Sequence, residues 1–305
     1  MAARESAAQR TARRRRRTRT GVVLSGLLAL SAGGAYFAFG ALNSSEVLVR
    51  ERCSASVGTD TFELSPDQAG NAALIAAIAV ERGLPARAVS IALATAIQES
   101  GLRNLDHGDR AGPDSRGLFQ QRPSQGWGSA EQVMDPVYAA GAFYDALVKV
   151  PGYETLPLTE AAQTVQRSAY PAAYADHEAE GRAFASALTG HSPAALNCVL
   201  REASASTDIE AARTAIEEAF GAVETGADGG ELGLRASGTR GWAAAAWGVA
   251  NARTLGIAGV SFGGLEWVRA ERSWRPAGTD TGLVTFTTLA PPAAAQASMR
   301  TTGST

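Results

Sequence analysis

The sequence predicts a mainly α protein in three parts: a single N-terminal transmembrane helix, a central helical domain, and a small α+β domain towards the C-terminus. Three observations point to this. Residues 21–42 are an uncharged apolar run long enough for one bilayer crossing. From Ser65 onward, capped segments with apolar residues at helical spacing succeed one another. Beyond Cys198, short β-branched and aromatic runs separated by glycine turns replace that spacing.

The N-terminal element is justified by charge. A formal net charge of −2 over 305 residues hides two opposed parts. Residues 1–20 hold eight arginines against Glu5, a local balance of +7 that leaves −9 for the remainder. An acidic remainder argues against nucleic acid as a partner, since neutralising phosphates requires clustered Lys and Arg. The arginine block reads instead as the cytoplasmic flank, residues 1–20, of a signal anchor at 21–42 that places the later domains outside the cell membrane. A cleaved signal peptide is the alternative, with small residues near Gly40 suiting a peptidase, although the apolar run exceeds the usual length of such a core. Both readings put the working domains outside the cytoplasm. A single candidate span gives no support to a transporter.

Residues 43–64 are polar and β-rich without a clear period, and read as a spacer. The central domain spans 65–198. Its first helix begins at "SPDQ", where Ser65 caps, Pro66 takes the first helical position and Asp67 complements the N-terminal dipole. The second starts at Pro85 and is apolar nearly all round, with Val89, Ile91, Leu93 and Ile97 among alanines, which marks a central buried helix. Glycines and prolines over 101–128 predict a long structured loop. Further helices are expected at 136–150, 158–168 and 171–188.

The α+β domain spans 199–290. "TDIE", Thr207 to Glu210, has capping-box spacing ahead of Ile209, Ile216 and Phe220 on one helical face. A helix over 242–255 comes next, then short strands in "GVSFGGLEWVRAERSWRP" and "GLVTFTTL". Residues 291–305, rich in Pro, Ala, Ser and Thr, are expected to be a disordered tail. Cys53 and Cys198 bracket the central domain and suit a disulfide in an oxidising compartment, with two separate buried thiols as the alternative.

Three His and two Cys, none at metal-ligand spacing, make metal and thiol chemistry poor candidates, and no cofactor fingerprint is present. What stands out is Glu99, at the C-terminal edge of the buried helix in "IALATAIQESGL". There a carboxylate meets the negative end of the macrodipole, at a cost of about 0.3–1 kcal/mol. Partial burial adds to this, so both effects favour the protonated acid, which can protonate a leaving oxygen. A solvated terminal glutamate is the plainer reading of the residue in isolation.

Three short motifs in order change that weighting: "QES" at 98–100, "GLFQ" at 117–120 and "SAY" at 168–170. They resemble the Glu-Ser, Gly-Leu-Met-Gln and Ala-Tyr motifs of soluble lytic transglycosylases, which have a lysozyme-like helical fold and cleave peptidoglycan glycan strands. The stretch from Gly108 to Leu147 further resembles actinobacterial membrane-anchored relatives in this superfamily, and the resemblance covers roughly residues 65–190. Phe119 stands where the family usually has Met, and Pro171 follows Tyr170 where a polar residue is usual.

The resemblance implies that Glu99 is the single catalytic acid/base, that Ser100 sets its local geometry, that Gln120 hydrogen-bonds the glycan, and that Tyr170 orients Glu99. It implies cleavage of the bond between N-acetylmuramic acid and N-acetylglucosamine with formation of a 1,6-anhydro end. A hydrolytic muramidase normally needs a second carboxylate, for which Asp106, Asp109 and Asp114 are candidates, although Asp beside Gly and Pro is ordinary turn chemistry. A non-catalytic wall-binding or scaffold protein on the same fold is the remaining alternative. Among the aromatics Trp127, Tyr138, Phe143 and Tyr144, Trp127 in its glycine-flanked loop is the candidate for stacking on sugar, and the others read as core.

Overall fold

The computed structural model describes residues 49–289, apart from 111, 169–170, 203–207, 227–228 and 279. Helix α1 (Pro66–Glu81) starts as its sequence dictates: Ser65 accepts from the Gln68 N–H while the Gln68 side chain accepts from the Ser65 N–H, closing a capping box. Its buried face is almost entirely alanine with Ile75. Helix α2 (Ala86–Ser100) is buried on every side from Ala88 to Ala96, which makes it the axis of the helical region. The loop after it carries a 3₁₀ turn (Pro123–Gln125) and leads into α3 (Ala130–Met134) and α4 (Pro136–Leu147). Then come α5 (Leu158–Gln166), a 3₁₀ segment (Pro171–His177) and α6 (Glu178–Leu188).

Helix α6 lies against α2 at very close range. A Cβ at Gly181 would sit 2.9 Å from the Ser90 carbonyl oxygen and 3.0 Å from the Ala94 nitrogen. Small residues on both helices let the backbones approach, so the crossing is fixed by contact rather than by long side chains.

The expected mainly α class is corrected to α+β. Strands β1 (Arg52–Val57) and β2 (Asp60–Leu64), in the stretch expected to be a spacer, pair antiparallel, and β3 (Leu196–Val199) joins on the other side in the order β2-β1-β3. Cys53 faces Cys198 across β1 and β3, and the two form a disulfide. A second, six-stranded antiparallel sheet has the order β4-β5-β9-β6-β7-β8, built from β4 (Glu224–Thr225), β5 (Glu231–Arg235), β6 (Ile257–Phe262), β7 (Leu265–Val268), β8 (Ser273–Pro276) and β9 (Leu283–Thr288). The physical reason is pairing at long range: the alternating buried positions Cys53 and Ala55 find their partner strand 145 residues away. Among the described residues, no helix is long and apolar enough to cross a membrane. The anchor expected at 21–42 and the tail expected at 291–305 lie outside the described residues.

The 199–290 region contains α7 (Ile209–Phe220) and α8 (Gly238–Ala250) with the six-stranded sheet. Asp208, not Thr207, caps α7 by accepting from the Glu210 and Ala211 N–H groups; Thr207 lies outside the described residues. The expected helix at 171–188 divides, its first seven residues forming the 3₁₀ segment.

Both regions share one buried core. Gly190, at φ 76, packs where a Cβ would overlap the Thr239 carbonyl, bringing the end of α6 onto the start of α8. Asn197 of β3 donates to the Arg272 carbonyl at 3.1 Å and accepts from the Trp267 indole at 3.0 Å, and Trp274 donates to the Leu196 carbonyl at 2.7 Å.

The helix crossing gives a direct test. Gly181→Val overpacks the α2–α6 contact and is expected to cost about 1–3 kcal/mol. Urea unfolding should show the midpoint falling at an unchanged slope. A midpoint equal to the native one would mean the crossing tolerates separation.

Candidate active site

The C-terminus of α2 is set by its backbone. Gly101 adopts the left-handed conformation at φ 61 and ψ 37, and the N–H groups of Gly101 and Leu102 turn back to the Ile97 and Ala96 carbonyls. Helix α1 clamps this turn: the Gln68 side-chain amide donates to the Gly101 carbonyl and that of Asn71 to the Leu102 carbonyl, both at 2.8 Å. Glu99 therefore sits in a last helical turn that cannot fray freely.

Ser100 anchors the chain as it leaves the helix. Its hydroxyl is buried, lies 2.7 Å from the Leu118 carbonyl and 3.1 Å from that of Ala96, and accepts from the Arg103 N–H at 3.2 Å. It does not line the groove beside Glu99; it ties the end of α2 to the loop that carries Gln120. Phe119 fills core space, stacked on Phe143 with ring centroids 4.6 Å apart. Gln120, at φ 47, projects from this loop, with its amide donating to the Gly117 carbonyl at 3.3 Å.

The facing wall comes from α5 and the 3₁₀ segment. Gln166 donates to the Phe119 carbonyl at 2.8 Å, joining the two walls. Tyr174, almost fully buried, donates its hydroxyl to Glu99 Oε1 at 2.6 Å. His177 of the same segment contacts the Gln98 side chain at 3.1 Å.

Between the walls lies a groove of about 610 Å³. Glu99, Gln120 and Trp127 all line it, together with Asp109, His107, Gln166, Arg167, Ser168 and Tyr174. The sequence thus locates four groove residues: Glu99, Gln120, Trp127 and the candidate carboxylate Asp109. Tyr170, expected to orient Glu99, lies outside the described residues, and the orienting tyrosine seen is Tyr174. Gln166 and Arg167 are likewise beyond the reach of the sequence motifs. The sequence offers for Tyr174 only a second tyrosine four residues after the motif tyrosine. Phe143 and Tyr144 are core, the latter donating to the Ile75 carbonyl at 3.0 Å.

The three candidate second carboxylates part company. Asp114 accepts from the Ser124 N–H at 3.0 Å and from Arg122 at 2.9 Å; hydrogen bonds from the Ser124 side chain and backbone, and then from Arg122, hold its carboxyl down at about 2. Asp109 faces the groove and accepts from the Gly112 N–H at 2.8 Å, closing a turn. Asp106 does not line the groove; its main-chain carbonyl accepts from Arg116.

Burial is the largest influence on Glu99 and raises its pKa above the ordinary carboxylate value. Hydrogen bonds from Tyr174 and Gln166 oppose the rise, and the negative charge of Asp109 adds to it. Tyr174 is itself pushed up, by burial and then by the Glu99 charge, so it remains a donor. The arrangement is one carboxyl group with a raised pKa, hydrogen-bonded by a buried phenol, at the wall of an open groove with amide, indole and guanidinium groups around it. Comparison with models of known protein families and with curated proteins gives no match.

The raised pKa has a stability consequence with a definite sign. The folded state holds the Glu99 proton more tightly than the unfolded chain, so this contribution is complete below the ordinary value of 4.5 and is lost as pH rises through the folded pKa. Glu99→Gln removes that loss. Its stability relative to the native protein should therefore increase from acid towards neutral pH in denaturant titrations; a difference independent of pH would contradict a perturbed Glu99.

Proposed function

We propose that this chain is an extracytoplasmic peptidoglycan lytic transglycosylase that cleaves the bond between N-acetylmuramic acid and N-acetylglucosamine. The observation that carries the reading is the single acid Glu99, raised in pKa by burial and held by Tyr174 in a groove where Gln120 and Trp127 also lie. The order of the motif residues along the chain supports it independently, and the disulfide suits an oxidising compartment.

In this mechanism, protonated Glu99 donates to the bridging oxygen as the muramoyl C1–O bond breaks. The substrate's own N-acetyl carbonyl supports the positive charge developing at C1. The Glu99 carboxylate then takes the proton of the muramoyl C6 hydroxyl as O6 bonds to C1, which returns the acid to its starting state. No external water enters, so a single residue serves as acid and then as base. Tyr174 favours this alternation because it donates to Oε1 in both protonation states. Gln120 would bind polar groups of the glycan and Trp127 would stack on an apolar sugar face. Among the described residues, Asp109 is the further carboxylate in the groove that a hydrolytic reaction could use, and its turn with Gly112 favours a structural role.

Mass spectrometry of purified sacculi incubated with the full chain tests this. Anhydro-ended muropeptides are expected from the native protein, and Glu99→Gln should lower their rate of formation by about 10²–10⁴-fold. Reducing ends abolished by Asp109→Asn would replace the lyase with a hydrolase. Sacculi that retain the native protein but stay uncut would identify a wall-binding scaffold.

A further inference from the structure

Helix α5 ends at Gln166, and Arg167 takes the left-handed backbone at φ 52 and ψ 38. In a continuing helix, successive residues point about 100° apart, so three in a row cannot face one groove. Here Gln166, Arg167 and Ser168 all line the groove beside Glu99, because the break at Arg167 turns them onto it. Gln163 pins the break: its carbonyl accepts from the Arg167 N–H at 2.7 Å, and its side-chain amide donates to the Ser168 carbonyl at 2.8 Å.

Two of the three side chains are already engaged. Gln166 bonds the Phe119 carbonyl, and Ser168 bonds Gln163 and Tyr174. The Arg167 guanidinium is exposed and has no hydrogen bond or ion pair among the described residues. The groove's other arginine, Arg122, is tied to Asp114. Glycine is the residue that a left-handed helix end normally takes, since a Cβ is disfavoured there. An arginine at such a position accepts backbone strain and puts a cationic residue, unpaired among the described residues, in the lining of the groove.

We infer that Arg167 is a specificity residue that recognises a carboxylate carried by the glycan, an inference that rests on the peptidoglycan reading of the groove. A neutral polysaccharide gives a guanidinium nothing of opposite charge. A muramic acid strand offers a carboxylate either on its lactyl group, where the peptide is absent, or on the stem peptide, where it is present. Either provides the planar two-oxygen acceptor that suits an arginine fork.

Binding measured in a Glu99→Gln background, where turnover does not interfere, separates the possibilities. The probes are a neutral chito-oligosaccharide, peptide-free glycan strands of equal length, and peptide-bearing strands. The parent should prefer the acidic strands, and the preference should weaken with added salt. Arg167→Gly relieves the backbone, so its thermal midpoint should not fall, yet the preference should drop roughly tenfold, the scale of one charge-assisted hydrogen bond. If that variant proves unstable, Arg167→Gln carries the same test. Loss confined to peptide-free strands assigns the lactyl carboxylate, and loss confined to peptide-bearing strands assigns the stem peptide. Glycan binding with an unchanged preference overturns the role of Arg167 alone. Failure of every glycan to bind the parent removes the peptidoglycan reading and this inference with it.

Discussion

The protein is organised around one unfavourable placement: a carboxyl group partly withdrawn from water at the C-terminal end of a helix buried on every side from Ala88 to Ala96. Desolvation disfavours the anion there, and the negative charge of Asp109 adds to it. Left alone, such a group would swing to solvent or fray the last turn. Gly101 closes the turn, Gln68 and Asn71 hold its carbonyls, and Ser100 joins it to the next loop. Tyr174 then fixes the carboxyl itself, through a hydrogen bond of 2.6 Å.

These supports need rigid elements behind them. Close contact of α2 with α6 at Gly181 leaves the axis helix little room to shift, and the 3₁₀ segment that carries Tyr174 runs directly into α6. The C-terminal region contributes from a distance: α8 packs on the end of α6, and hydrogen bonds from Asn197, Trp267 and Trp274 join β3 to the six-stranded sheet. The disulfide ties β3 to β1, which precedes the first helix. In the chain-entropy model, a closure of this length contributes at most about 5 kcal/mol.

Legibility in the sequence depends on range. Helix starts are legible where local chemistry sets them, as at Ser65 with Gln68, and Glu99 stands out because a charge at the end of an apolar helix is a local anomaly. Gln120 and Trp127 emerge from short motifs and glycine flanks. The β1–β2 hairpin reads as a spacer because small residues such as Cys53 and Ala55 give a weak two-residue period, and their burial depends on a strand far along the chain. Tyr174 escapes the sequence for a related reason. In a regular helix over 171–188 its direction would differ, and only the 3₁₀ geometry of 171–177 brings its hydroxyl to Glu99. The convergence of Gln166, Arg167 and Ser168 likewise depends on one backbone angle that composition does not announce.

The proposed chemistry turns on the protonation of a single side chain, which selective carbon-13 labelling of glutamate makes observable. With the Glu99 resonance assigned by its absence in Glu99→Gln, an NMR pH titration of the native protein should give a midpoint above the ordinary carboxylate value of 4.5. A midpoint at or below that value would mean the helix end carries an ordinary solvated carboxylate, and the acid on which the proposed chemistry depends would be gone.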